Sequence, residues 1–224
     1  MTYLSDDFFA FLSELRENNS REWFEANRKR YEKSVKKPFS SLVGELIGRI
    51  RADDPAVQIE AKDAIFRINR DTRFSKNKVP YKAYVYANIS PFGTKNKAYP
   101  GFYMNLSPEQ VYVGGGAYML EPVEVLRVRQ YIAGRLDEFG SLASAPSFVK
   151  LYGGVQGQTS KTVPAEIREA AAKQPLLFGK QFFYMAALEP SVALSEDLPD
   201  VLMDRYFAAK PMSVFLREAL RSGS

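Results

Sequence analysis

The apolar residues of this chain change their period twice, and that change limits the folds open to it. From Phe8 to Ile50 they recur every third or fourth position, as on one face of a helix. Between Ala64 and Ala117 they recur every second position, as on a half-buried strand. After Glu121 the helical spacing returns. Helices, then strands, then helices predict an α+β fold rather than alternating βαβ units. The expected architecture is an antiparallel sheet of about four to six strands, with N- and C-terminal helices packed on one face. At 224 residues, one domain over 1–224 is expected, since no repeat, low-complexity tract or long linker divides the chain.

Local signals set the elements. "SDDFFAFLSELREN" (5–18) is an amphipathic helix with Ser5 as cap and two aspartates in its first turn. A second helix starts at Asn19 or Ser20 and carries Trp23, Phe24, Tyr31 and Val35, with Trp23 read as core. Pro38 is expected to kink or break it, and a third helical stretch covers 39–51. Strands are expected at 64–71, 81–90, 101–107 and 110–117, with "SPEQ" as the tight turn of a hairpin. A helix at 121–134 follows. Then come short helices at 137–144 and 164–173 around the loop "GGVQGQTSK", a strand at 180–188 and a closing helix kinked around Pro211.

Alternation sorts the strand residues onto two faces. Phe66 and Ile68, with Val85, Ala87, Ile89, Met104, Leu106, Val111 and Val113, form an aliphatic face. Arg67, Asn69 and Asp71 fall on the other, with Tyr84, Tyr86, Asn88, Ser90, Tyr103, Asn105 and Tyr112. Tyrosine, asparagine and arginine together make either a pocket floor or a half-polar surface under a second layer. Gly114, Gly115 and Gly116 lower that surface for a ligand or another chain segment. They are a flattened edge or bulge, not a phosphate loop, because no Lys-Ser/Thr follows.

The chain has no cysteine and no histidine. Thiolate nucleophiles, cysteine–zinc sites and imidazole bases are therefore excluded, and any metal would need an oxygen cage. No metal and no cofactor are expected. The start lacks a secretory pattern and no run approaches a membrane span, so the expected compartment is the cytoplasm, with no membrane partner. The net charge of +5 is compatible with anionic partners.

The positive charge concentrates in "RINRDTRFSKNKVPYK" (67–82), where Arg67, Arg70, Arg73, Lys76, Lys78 and Lys82 surround one acid, Asp71. Arginine's planar fork holds carboxylate or phosphate at two points. The expected site binds a small anionic ligand through Arg67, Asn69, Arg70, Asp71, Arg73, Lys78, Tyr81, Tyr86 and Asn105. Asp71 and Tyr81 are the candidate proton-handling groups should the protein be an enzyme. Two alternatives stand beside this. Aromatics on a sheet next to basic loops also suit single-stranded nucleic acid or nucleotides. The motif can equally be an internal ion-pair network in a structural or interaction domain. Asp71 with Glu121 is a further candidate acid/base or magnesium pair.

The spacing Arg67-x-x-Arg70-Asp71-x-Arg73-Phe74-x-x-Asn77-Lys78-x-x-Tyr81 resembles the signature of domain of unknown function 2461, a bacterial family also found within longer fungal proteins. "NNSREWFEANRKRYE", "AKDAIFRI", "GGGAYMLEP" and "AAKPMSVFLREAL" are similar to that family too. The resemblance implies one domain of about this length with its signature at 67–81, and it implies no catalytic assignment.

Overall fold

The structure, a computed structural model, describes residues 2–74 and 76–222. Helix α1 (Asp6–Glu17) begins with Asp6 and Asp7, whose carboxylates complement the unpaired N–H groups of its first turn. Ser20 caps α2 (Arg21–Ala26) by accepting the Trp23 N–H at 3.1 Å. Next come α3 (Arg28–Tyr31), a π-helical turn at Glu32–Lys36 and α4 (Lys37–Asp53). Pro38 therefore does not break the run. It lies in the first turn of α4, and the widened turn upstream relaxes the ladder where proline has no N–H to give.

After the single turn α5 (Ala61–Ala64) come β1 (Val85–Ile89), β2 (Phe102–Leu106) and β3 (Val111–Ala117). Then follow α6 (Pro122–Ala133), α7 (Leu136–Ala143), α8 (Pro146–Tyr152), α9 (Arg168–Lys173), β4 (Phe182–Leu188) and α10 (Leu198–Arg221). The strands form one antiparallel sheet in the order β1-β2-β3-β4, so the fold is α+β. Helix α10 continues through Pro211 to Arg221. No helix among the described residues is long and apolar enough to cross a membrane.

The chain divides into two compact units. The first takes the stretch through Thr94, Tyr103–Val113 and Ala187–Met203. Its core joins Phe8, Phe11, Leu12 and Leu15 of α1 to Leu42, Val43, Leu46 and Ile50 of α4 and to Ala87, Ile89, Met104 and Val111 of the strands. Each of these is essentially inaccessible, and burying one of the side chains larger than alanine contributes about 1.5–3 kcal/mol before the entropy cost of ordering it. Trp23 is only half-buried, its ring 5.5 Å from that of Phe11.

The second unit takes Lys95–Phe102, Gly114–Ala186 and the chain from Asp204 onward. Here the loop 153–161 runs along β4, making bridges Gln156↔Phe183 and Thr159↔Gly179, so this edge of the strand is paired rather than open. The buried Arg129 of α6 fixes that loop, donating to the Ser160 hydroxyl at 2.7 Å and to the carbonyls of Phe178 and Gly179 at 3.1 Å. The three glycines serve this packing. A Cβ on Gly114 would lie 2.1 Å from the Tyr184 carbonyl oxygen, and Gly116 has φ +99°. It is neighbouring backbone that approaches them.

Candidate functional site

The segment expected as the first strand is an irregular ribbon. Ile65 bridges Ala87 and Asn69 bridges Tyr81, both antiparallel. Four steps of chain on one side thus face six on the other, and the two extra residues, Ala83 and Tyr84, form a bulge. The Lys82 ammonium ties the ribbon across this irregularity by donating to the carbonyls of Asn69, at 2.8 Å, and Arg67. The bulge also changes the expected faces. Phe66 lies with the tyrosines, stacked on Tyr86 at 4.3 Å and 9°, instead of with Ile68 on the aliphatic side.

At the Asn69–Tyr81 bridge the hydrogen bonds are made by the flanking residues, Arg70 N–H to Pro80 and Lys82 N–H to Ile68. The Tyr81 N–H and C=O point away from the ribbon, and the side-chain amide of Asn19, between α1 and α2, takes both at 3.0 Å. The Tyr81 ring is buried and stacks on Phe24 at 4.1 Å. One end of the motif is therefore anchored to the N-terminal helices.

The other end is a short arch. Arg73 grips Asp71 with two parallel bonds, Nε to Oδ1 at 3.0 Å and Nη2 to Oδ2 at 2.7 Å, and its backbone N–H adds a third at 3.2 Å. These bonds hold the Asp71 carboxyl well below the usual carboxylate range, so it stays ionised and accepts only. Lys78 Nζ donates to the Thr72 carbonyl at 2.9 Å, and the Val79 N–H donates to Asn77 Oδ1 at 3.1 Å. The Arg73–Asp71 pair is exposed, with 76% and 44% of the two side chains accessible. Phe74 is 95% exposed.

Between anchor and arch lies a groove of about 780 Å³ within the first unit, a volume in the range of small-molecule sites. Of the expected site residues, Arg70, Asp71, Tyr81 and Asn105 line it. Arg67, Asn69, Arg73, Lys78 and Tyr86 do not. Arg67 and Asn69 are exposed on the ribbon, Arg73 and Lys78 hold the arch, and Tyr86 is packed under Phe66. Burial pushes the Tyr86 phenol up to about 12. The Arg70 guanidinium is half-buried and makes no hydrogen bond or ion pair to a described residue.

Sequence reasoning missed several groove residues. Arg16 of α1 and Glu109 of the β2–β3 turn form an ion pair on its wall, and Asn19 and Ser107 also face it. They come from remote stretches with no shared pattern, and only the "SPEQ" turn hinted at Glu109.

The tyrosine face is covered at one end and open at the other. Asn88 is buried and donates to the Gly93 carbonyl at 3.0 Å, and the buried Ser90 accepts the Phe92 N–H at 3.3 Å, so the 90–93 turn closes over them. At the groove, Tyr84 and Tyr112 remain 37% and 39% exposed. Asn105 donates to the Tyr103 hydroxyl at 3.3 Å. Among the described residues no three acidic side chains gather as a metal cage would require. Glu121, considered as a partner for Asp71, caps its own helix α6.

No curated protein matches the chain. A family profile described as "Conserved hypothetical protein (DUF2461)" matches residues 7–215, which takes in the motif, the groove and most of both units. The chain belongs to this family, domain of unknown function 2461.

Proposed function

We propose that the first unit binds a small ligand carrying a carboxylate or phosphate, with Arg70 as the anion contact. The observation that carries this reading is Arg70 itself, a half-buried guanidinium facing the groove with no counter-ion among the described residues. A cation that faces a concave site without a counter-ion is available to an anionic ligand. Of the other groove charges, Arg16 is matched by Glu109 and Asp71 by Arg73, and the Lys82 ammonium is held by the carbonyls of Arg67 and Asn69. Asparagine, serine and tyrosine side chains along the groove supply the directional contacts that fix a small ligand. In this reading Asp71 orients Arg73 and is not a proton donor.

The alternative of an internal ion-pair network has less support. The motif's acid pairs with an arginine two residues away, on the surface, where such pairs contribute little.

A thermal-shift screen tests the proposal. Phosphate, sugar phosphates, nucleotides and dicarboxylates are titrated against wild type and Arg70→Gln, at low and high salt. One class should raise Tm in a saturable way, and the variant should lose that rise at unchanged intrinsic stability. No response in the wild type to any of these anions overturns the proposal.

A further inference from the structure

We propose that the groove's ligand is a nucleoside phosphate, with its base stacked on Phe74 and its phosphate on Arg70. This rests on the anion-binding reading above and names its ligand class. Phe74 is 95% exposed, the highest value among the large apolar side chains described. It belongs to the arch whose two stems, Asp71 on one side and Asn77 and Val79 on the other, line the groove. Lys78 closes the arch onto Thr72, Asn77 pins Val79, and Asp71 holds Arg73 with its guanidinium 5.8 Å from the Phe74 ring centre.

A ring presented in this way packs against no core. Its open face beside a fixed guanidinium suits a nucleobase, because every base offers a flat π surface and stacking needs no particular hydrogen-bond pattern. Phe74 is four chain steps from Arg70, a span of at most about 14 Å, which puts a phosphate contact and a stacking face within reach of one ligand. Tyr84 and Tyr112 add half-open rings along the groove. Asn105 offers the amide chemistry that reads a base edge. A sugar phosphate or dicarboxylate would use Arg70 and leave these rings idle.

The test is calorimetric titration of the full chain with AMP, UMP, ribose 5-phosphate, adenosine and a single strand of about eight nucleotides. Wild type, Phe74→Ala and Arg70→Gln are compared after thermal melts establish that both variants fold. AMP and UMP should bind more tightly than ribose 5-phosphate. Phe74→Ala should weaken them roughly five- to hundredfold and leave ribose 5-phosphate unchanged. Arg70→Gln should weaken every phosphate and leave adenosine unchanged. A strand that binds tighter than AMP, with affinity falling steeply as salt rises, identifies single-stranded nucleic acid as the source. Equal affinity for strand and mononucleotide identifies free nucleotides. Ribose 5-phosphate binding as tightly as AMP, with Phe74→Ala indifferent, overturns the base and leaves the anion groove standing. No binding by any phosphate overturns both.

Discussion

Asn19 closes both backbone hydrogen bonds of Tyr81, donating to its carbonyl and accepting from its N–H at 3.0 Å each. One side-chain amide thus replaces a neighbouring strand at the point where the motif leaves the ribbon. Asn19→Ala leaves two part-buried backbone groups without partners, so it should cost about 2 kcal/mol and several degrees of Tm. Asn19→Asp keeps an acceptor for the N–H but sets a carboxylate against the carbonyl, and it should fare no better. Urea unfolding measures both. An unchanged midpoint would mean that water replaces the amide without loss.

Tyr81 separates packing from chemistry. Its ring is 6% exposed and stacked on Phe24, so Tyr81→Ala should cost about 3–5 kcal/mol. Tyr81→Phe keeps the stack and should unfold close to wild type. A ligand effect of Tyr81→Phe without a stability effect would assign the hydroxyl to the groove.

Acid should release the N-terminal helices. Arg30 bonds both Asp7 and Glu14, with distances of 2.6 to 2.9 Å. These bonds lower both carboxyls below their ordinary 3.8 and 4.5. A folded-state pKa below the unfolded one gives stability that is fully present above the unfolded value. That stability is lost as pH falls through the folded value. The stability gap between wild type and Arg30→Gln should therefore be constant above about pH 5 and shrink below about pH 4, as read from urea midpoints across pH. A gap independent of pH would show that Arg30 acts through packing alone.

Two glycines should respond with opposite signs. Gly116 has φ +99°, and an added Cβ would sit 2.4 Å from the Phe182 carbonyl oxygen. Gly116→Ala should lose at least about 1–3 kcal/mol from conformation alone. Gly48, inside α4, has nothing within 4 Å of an added Cβ. Gly48→Ala should gain about 0.5–1 kcal/mol. Thermal melts of the pair check both signs together.

The helices and the four strands were legible because their periods reflect one buried face each. Phe8, Phe11, Leu12 and Leu15 cannot be read as anything but a helix stripe, and Val111 and Val113 share one face of a strand. Residues 64–71 were misjudged as a regular strand. They alternate correctly, but the bulge at Ala83–Tyr84 lies in the facing segment 81–87 and is tied by Lys82, and no pattern within 64–71 encodes it. The same limit applies to the groove. Arg70 and Asp71 stood out as charge, whereas Asn19 and Glu109 look like a helix-start asparagine and a turn acid until the fold brings them to Tyr81 and Arg16. The glycines suggested close approach, and only the strand pairing shows that the approaching group is backbone.

An amide-resolved NMR titration with inorganic phosphate and with malonate, comparing wild type and Arg70→Gln, would locate the bound anion. The proposal predicts saturable shifts for one of these probes that cluster at Asn19, Arg70, Asp71, Asn77 to Tyr84 and Asn105 to Tyr112, and that vanish in Arg70→Gln. Weak, unsaturated shifts spread over the surface lysines, identical in both proteins, would contradict it.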